Sequence, residues 1–394
     1  MSAFGEALAR LMGTRGVGVH ELARMSNYTA GHISNLRTGA KRASLQCAAT
    51  LDDLLGAGGE LIAAAGHREL TAEPDPGDLG HPVVPLPALD SDDVHPVEHL
   101  DRFRGLISES DNLFGPRNLI SLVRRHVALI ARMRHGRSGS DSRELLRMQA
   151  RYAESLAWLY QDCTQFRDAQ YWLDRSLEWA HMADDRQWAA FTLARKSQLA
   201  GDMHDSASAV DLADAAARMA EDSTRLAAAG AAYQAHGHAL SGDAAASLRA
   251  LDRAHDIAER PEDDPGAPWA AWLTTGYVGV QRARCLTALG DHQNAAGLFA
   301  RAIDGIPPEL RRDKGVYLAR LAVAQARSGD LDQAASAGLR AATIYQATAS
   351  GRILTELRLL DAATARAPAQ ATAVLRDALA GILRHSPRGR KPRP

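Results

Sequence analysis

Apolar residues in the first part of the chain recur three or four positions apart, which is the spacing of amphipathic helices. A glycine-rich segment, GTRGVG, interrupts this spacing after residue 12. The pattern predicts five short helices, over residues 4–12, 19–25, 29–37 and 44–55 and in the segment GELIAAAG. Each has one apolar face, so together they are expected to form a small helical bundle.

The second and third predicted helices carry the residues that a helix-turn-helix requires. Such a pair needs an apolar and a small residue on the first helix, a tight turn, and two apolar residues on the second. Leu22 and Ala23 meet the first requirement, and Ile33 and Leu36 meet the last. The turn contains Asn27, a residue type that tolerates left-handed backbone. The pair is therefore interpreted as a helix-turn-helix.

Beyond residue 95 the pattern of small and large residues repeats. Glycines followed by aspartate recur every 39 to 48 residues and are predicted to lie in turns, at Gly201, Gly242, Gly290 and Gly329. Five positions after each glycine stands a small residue, namely Ser206, Ser247, Ala295 and Ala334. Small residues let paired antiparallel helices approach, and larger residues fill the space between pairs. Residues 95–385 are therefore predicted to form a superhelix of helix pairs, with capping pairs over 97–134 and 352–383.

Two segments have no helical period. Residues 66–94 are rich in proline, glycine and acidic residues and are predicted to be a semi-extended linker. A packed irregular arm is the alternative over its VVPLPAL stretch. Residues 386–394 are predicted to be a basic, disordered tail. The first domain is thereby limited to residues 1–65.

Composition supports an all-α protein and restricts its partners. Hydrophobic residues make up 46% of the 394 residues but aromatic residues only 5%, so alanine and leucine dominate and favour helix. The net charge of −1 gives no global basic field, so any contact with nucleic acid must be local. The three cysteines form no C-x-x-C pair, which suits a reducing compartment. Without a leader or a long apolar run, the chain is expected to be cytoplasmic, with no membrane partner.

The five-helix pattern over residues 4–65 resembles the Cro/repressor-like, or XRE, family of DNA-binding domains. HELARMSNYTAGHISNLRTGAKRAS and LDDLLGAGGELIAAA are similar to the version common in actinobacterial regulators. The later repeats resemble the tetratricopeptide repeat family, and Pro307 stands where that repeat usually ends in proline. The resemblance implies a transcriptional regulator whose first domain binds an operator and whose repeats dimerise and sense a signal.

Residues for DNA contact follow from the helix-turn-helix interpretation, because the start of its second helix enters the major groove. The predicted base-reading residues are Thr29, Ala30, Gly31, His32 and Asn35. The predicted phosphate contacts are His20, Arg37, Lys41 and Arg42, with His20 standing where the family often has glutamine. Six basic residues face five acidic ones over residues 1–65, so a homodimer on double-stranded DNA is predicted. The alternative is a degenerate helix-turn-helix that contacts protein.

A ligand pocket is predicted on the concave face of the superhelix. Projecting the repeat family's inward positions onto this chain gives ten residues: Arg151, Glu154, Trp158, Gln161, Trp188, Arg195, Gln198, His236, Tyr277 and Arg284. Aromatic planes and a few polar groups suit a small molecule, a peptide or a protein signal. The alternative is that the aromatic residues only fill space between helix pairs. Peptide-sensing regulators of this architecture use asparagines, which this face almost lacks.

No set of residues suggests catalysis. His236 and His238 are two positions apart and would point to different faces of a helix, so they make no metal pair. Phosphate-binding and dinucleotide loops are absent. No enzyme activity, metal or cofactor is predicted. The rival to a regulator is an interaction scaffold whose repeats bind a protein while the first domain acts as a tether.

Overall fold

The computed structural model describes residues 3–26, 28–41, 43, 45–55, 57, 60–65, 96–220, 224–260 and 273–385. All regular secondary structure in these ranges is helical, which confirms the predicted all-α class. The chain divides into two compact units, residues 1–73 and 74–394. The predicted linker, the predicted tail and the turn residue Asn27 lie outside the described residues. Within the described ranges, no helix has both the length and the apolar character needed to cross a bilayer.

The first unit contains five helices: α1 (Ala3–Arg15), α2 (Val19–Ser26), α3 (Ala30–Thr38), α4 (Leu45–Leu55) and α5 (Glu60–Ala64). Helix α3 packs against both α1 and α2. The predicted core residues Leu22, Ala23, Ile33 and Leu36 are all buried, as expected. Because Ile33 and Leu36 bury one side of α3 in the core, the opposite side of the helix is exposed.

Both ends of α3 are set by residues that the sequence identifies. The Thr29 hydroxyl accepts a hydrogen bond from the backbone N–H of His32 at 3.2 Å and so caps the first turn. Gly39, with φ of 79°, ends the helix in the left-handed region, where glycine meets no steric penalty. The predicted cap and stop are therefore confirmed.

The second unit contains fourteen α-helices in the described residues and one short 3-10 turn at Pro116–Asn118. The helices are α6 (Pro96–Phe114), α7 (Ile120–Arg134), α8 (Gly139–Asp162), α9 (Phe166–Met182), α10 (Arg186–Asp202), α11 (Ser206–Met219), α12 (Thr224–Leu240), α13 (Ala244–Ala258), α14 (Thr275–Ala288), α15 (His292–Asp304), α16 (Arg311–Ser328), α17 (Leu331–Thr348), α18 (Gly351–Thr364) and α19 (Ala369–His385). From α8 to α17, each even-numbered helix packs against the odd-numbered helix that follows it.

The predicted turn at Gly201 is wrong. Gly201 lies inside α10, where an added Cβ would stand 2.6 Å from His236 Nδ1. The left-handed residue of this turn is His204, with φ of 61°. His204 occupies the position that Gly242, Gly290 and Gly329 occupy in the three later turns, which were predicted correctly. Ala209 rather than Ser206 is therefore the small residue five positions later, and it is fully buried.

The second unit also joins parts of the chain that are far apart in sequence. Helix α6 packs against α16 and α17, and the end of α8 meets the start of α18. Gly115 makes the first approach possible, because an added Cβ would overlap the carbonyl of Thr348. Gly351 makes the second possible, since its Cβ would stand 2.8 Å from the carbonyl oxygen of Asp162. These contacts enclose the face formed by the even-numbered helices.

Candidate functional site

The outer side of α3 presents most of the predicted base-reading residues. Thr29, Gly31 and Asn35 are exposed, whereas Ala30 and His32 are half-buried. Their arrangement follows from the helical period, since the buried Ile33 and Leu36 direct the remaining positions outwards. Gly31 and Asn35, four positions apart, therefore share the exposed side of the helix, and Thr29 is exposed at its start.

His32 is engaged within its own unit. Its Nδ1 lies 3.5 Å from Lys41 Nζ, and its Nε2 lies 3.8 Å from Cys47 Sγ. The imidazole also stacks on the ring of Tyr28, with ring centroids 5.0 Å apart. Burial raises the pKa of the Cys47 thiol, so that side chain stays neutral. His32 consequently connects α3 to α4 and holds the Lys41 ammonium beside α3.

Three of the four predicted phosphate contacts are exposed. His20 is exposed near the start of α2, Arg37 is exposed in the last turn of α3, and Lys41 is exposed just after it. Arg42 lies outside the described residues. Exposed cations in the helix-turn-helix region provide what phosphate contact requires.

The second unit encloses a polar site, which we call the central cluster. It is formed by side chains from α6, α8, α10, α12, α14, α16 and α18: Asp111, Glu154, Trp158, Gln161, Asp162, Arg195, Gln198, Asp202, Tyr233, Tyr277, Gln281, Arg284, Arg312, Asp313, Tyr317, Arg320, Ser350, Arg352 and Glu356. Seven of the ten predicted pocket residues belong to it. The others are Arg151, Trp188 and His236.

Arg195 lies at the meeting point of α8 and α10. Its Nε donates to Glu154 Oε1 at 2.8 Å, and its Nη2 donates to Gln161 Oε1 at 3.1 Å. Its Nη1 donates to Gln198. These three hydrogen bonds compensate for the desolvation of the buried guanidinium and fix its orientation.

Asp202 connects α10 with α8 and α14. Its carboxylate accepts from Gln161 Nε2 at 2.7 Å and from Arg284 Nη2 at 2.7 Å. Burial acts to raise the pKa of Asp202, but the charges of Arg284, Arg352 and Arg320 outweigh burial and lower it below its ordinary value. Asp202 is therefore ionised throughout the physiological range.

Three guanidinium groups surround the ring of Trp158. The Cζ atoms of Arg195, Arg312 and Arg352 lie 4.8, 5.0 and 4.9 Å from its centroid. The indole Nε1 donates to Asp111 Oδ2 at 3.2 Å, and Arg312 pairs with the same carboxylate. Trp158 is nevertheless only half-buried. It is thus an aromatic surface, bordered by cations, that remains partly accessible.

Two tyrosines extend the cluster towards α12 and α14. The hydroxyl groups of Tyr233 and Tyr277 lie 2.7 Å apart, and Gln198 Nε2 donates to Tyr277 Oη at 3.4 Å. Burial raises the pKa of Tyr277 well above its ordinary value, with Tyr233 adding to the effect. Both hydroxyls therefore stay neutral and remain able to donate as well as accept.

Asp162 links α8 to α18 at the bottom of the cluster. It is fully buried, and its Oδ1 accepts from Ser350 Oγ at 3.0 Å. The nearest guanidinium nitrogen, Arg352 Nη1, is 3.8 Å away. Burial raises the pKa of Asp162 to about 6, because Arg352 and Ser350 offset only part of the desolvation.

The remaining three predicted pocket residues lie apart from this network or at its edge. Trp188 is buried in the apolar core and donates from Nε1 to Ser176 Oγ at 3.1 Å, as the packing alternative expects. Arg151 lies 5.6 Å from the Trp188 ring and 3.5 Å from Asp101. His236 packs against Gly201, and burial, followed by the charge of Arg284, lowers its pKa well below the ordinary value.

The projection onto the concave face missed the contribution of α16 and α18. Six residues within these two helices were not identified: Arg312, Asp313, Tyr317, Arg320, Arg352 and Glu356. A signal for three of them exists in the sequence. Asp313, Tyr317 and Arg320 have the same spacing as Tyr277, Gln281 and Arg284, 36 positions earlier. Extending the repeat one pair further would have included them.

Neither unit offers a cluster suited to a metal ion, since the described residues contain no group of three or more histidine, cysteine, aspartate or glutamate side chains placed to hold one. No family model matches the chain, and no curated protein matches it. Function is therefore inferred from the side chains described above.

Proposed function

We propose that the protein is a cytoplasmic, sequence-specific DNA-binding regulator. In this proposal the first unit is a Cro/repressor-like helix-turn-helix, and the second unit is a tetratricopeptide-like array that dimerises and binds a signal. The observation that carries the proposal is the exposed side of α3, with Asn35 and Gly31 outward and Ile33 and Leu36 inward. This is how a helix is presented to the major groove.

The roles of single residues follow from their chemistry. Asn35 can accept and donate on the edge of an adenine, and a bidentate contact of that kind distinguishes one base from the others. Arg37 and Lys41 supply positive charge for phosphates, which adds affinity without sequence preference. His32 acts through Lys41, because its ring nitrogens already face Lys41 and Cys47. Gly31 leaves room for the DNA surface.

In the proposed mechanism, two copies of the first unit bind two half-sites about 34 Å apart. A signal that binds the central cluster changes the arrangement of the even-numbered helices. That change alters the separation of the two reading units and hence the affinity for the operator, since a ligand shifts an equilibrium only by its differential affinity for the two states.

The test begins by selecting an operator from a random duplex library and measuring its affinity at several salt concentrations. Asn35→Ala is expected to lower affinity for the selected site by about tenfold or more while leaving nonspecific binding and the salt dependence unchanged. Arg37→Ala is expected to weaken binding to all sequences and to reduce the salt slope by about one. Thr14→Ala, an exposed change at the end of α1, is the control.

Two results would argue for the scaffold instead. One is failure of the library to yield any preferred sequence. The other is equal operator affinity for the wild-type protein and Asn35→Ala. Either would mean that the exposed face of α3 does not read bases.

A further inference from the structure

The five arginines of the central cluster are not equally satisfied. Four of them have a carboxylate as a direct partner: Arg195 with Glu154, Arg284 with Asp202, Arg312 with Asp111, and Arg320 with Glu356. Arg352 differs, because the carboxylate oxygens nearest to its Nη1 belong to Asp313 and Asp162, at 3.7 and 3.8 Å. Both distances exceed that of a hydrogen bond.

Within the described part of the chain, Arg352 therefore carries charge without a direct acceptor. Its Nε and Nη1 are buried and have no hydrogen-bond partner among the described residues. Burial disfavours its charge, but Asp162, Asp313 and Asp202 outweigh burial and raise the pKa of Arg352, so it stays protonated. Buried charged donors almost always have acceptors, because leaving one unpaired is costly.

The carboxylates of the cluster have closer partners than Arg352 has. Each of the six accepts at least one contact within 3.2 Å, from an arginine, Gln161, Trp158 or Ser350. Among the described residues of the cluster, the fully buried carboxylate oxygens without a partner belong to Asp111 and Asp162, whose side chains are 2% and 0% exposed. Arg352, by contrast, retains 12% exposure. Arg352 is thus the one arginine of the cluster that has no direct carboxylate partner and keeps part of its surface.

An aromatic ring lies beside Arg352. The Arg352 guanidinium lies 4.9 Å from the centroid of Trp158, and Trp158 is only half-buried. Asp313 on α16 and Glu356 on α18, which also belong to the cluster, keep 27% and 17% of their side-chain surface. These side chains are surrounded by helices and yet are accessible, which is the property of a recess.

We propose that this recess binds a small organic oxyanion: a carboxylate or phosphate group on Arg352, attached to a planar body that lies along Trp158. The inference depends on the proposed function, in which the array binds a signal, and it names the chemical class of that signal. Arginine suits this role because its planar fork can donate two parallel hydrogen bonds to one oxyanion.

The first measurement compares four probes by calorimetry on the full chain without DNA. Phenyl phosphate and inorganic phosphate carry the oxyanion with and without the ring, phenol carries only the ring, and benzylamine carries the opposite charge. We expect phenyl phosphate to bind at least about tenfold more tightly than each of the other three, because it alone combines the contact to Arg352 with the contact to Trp158.

The second measurement uses variants. Asp162→Asn combined with Arg352→Gln removes both members of the closest buried pair, so no isolated charge is left behind, and it should weaken phenyl phosphate at least about tenfold. Arg352→Lys keeps the charge but loses the fork and should weaken binding by a smaller factor. Arg340→Gln, an exposed change on α17, should bind as the wild type does. Circular dichroism establishes that each variant is folded.

Three outcomes would overturn the inference: no binding of phenyl phosphate, tighter binding of benzylamine, or unchanged binding in the double variant. If the double variant does not fold, Arg352→Lys and the probe series decide. Failure of the regulator is separate, since it would appear as phenyl phosphate binding in a protein that selects no DNA sequence.

Discussion

At Asp162, burial and charge pairing act in opposite directions. The side chain is fully buried, and its closest guanidinium nitrogen is 3.8 Å away, so pairing recovers only part of the lost hydration. The pKa of Asp162 rises from 3.8 to about 6 for this reason. The folded protein therefore holds a proton that the unfolded chain releases between these two values.

We predict that folding becomes less favourable as the pH rises from 4 to 6, because the unfolded chain releases the proton of Asp162 at a lower pH than the folded protein does. The rise in the pKa of Asp162 from 3.8 to about 6 corresponds to about 3 kcal/mol of unfolding free energy. The folded protein has lost nearly all of this free energy once the pH is above 6. Asp162→Asn removes this titration but keeps an oxygen that can accept from Ser350. Urea unfolding should thus show that the wild type loses about 2.5 kcal/mol relative to the variant between pH 4 and pH 7, because a small part of the total is already lost at pH 4.

His236 contributes pH dependence of the opposite sign. Its lowered pKa means that the unfolded chain takes up a proton first, so its contribution to stability is lost as the pH falls below 6.5. Comparing wild type with Asp162→Asn at each pH removes this common effect. Asp377→Asn, at an exposed carboxylate on α19, serves as the control. A difference in unfolding free energy that stays constant with pH would contradict the prediction.

Residue chemistry explains how much of the central cluster was foreseeable. Glu154, Trp158 and Arg195 were identifiable because the repeat places each of them on the inner side of its helix, a local property of the sequence. The role of Arg352 was not, because it depends on contact between α8 and α18, and Ser350 lies 188 residues from Asp162. No local periodicity reports a contact over that distance.

The contact between α1 and α3 leaves no room for a side chain at Gly5. An added Cβ on Gly5 would stand 2.5 Å from the carbonyl oxygen of Arg37, whereas one on Gly13 would meet nothing within 4 Å. Both glycines lie in α1. The two positions therefore separate the effect of helix packing from the effect of helix propensity.

We predict that Gly5→Ala destabilises the first unit by about 1–3 kcal/mol, because α3 must move away from α1. Gly13→Ala should stabilise it by about 0.5–1 kcal/mol, since alanine loses less backbone entropy in a helix. Hydrogen exchange of peptides from α1 and α3 measures both effects in the full chain. Equal exchange rates for Gly5→Ala and the wild type would show that the contact tolerates a methyl group.

The predicted helices of the first unit were accurate because their signals are local: a threonine cap, a glycine stop and an apolar face. The register of the second unit was wrong at one turn for a physical reason. Glycine followed by aspartate occurs both in turns, as at Gly242, and in the last turn of α10, at Gly201. At that turn the residue with left-handed backbone is His204, and a histidine is not a residue type from which a turn is predicted.

In the second unit, contacts between helices from the two ends of the array limit how a signal can act. In an open solenoid each repeat contacts only its neighbours, so pitch can change gradually. Here α6 also contacts α16 and α17, and α8 also contacts α18. The ends cannot separate without breaking the Asp111–Arg312 pair or the Asp162–Ser350 hydrogen bond. The proposed oxyanion recess lies beside both, so a ligand there would act directly on closure.

For the whole chain, charge leads to a prediction of oligomeric state. The first 65 residues carry six basic and five acidic side chains, and so a single copy has little excess charge with which to hold DNA. Two copies on a two-fold site double both phosphate contacts and base contacts. We therefore predict a homodimer with twice the chain mass of 42.3 kDa, measured by light scattering after gel filtration. A mass equal to one chain, unchanged by the selected operator, would leave the near-neutral reading unit without a means of reaching useful affinity and would contradict the regulator.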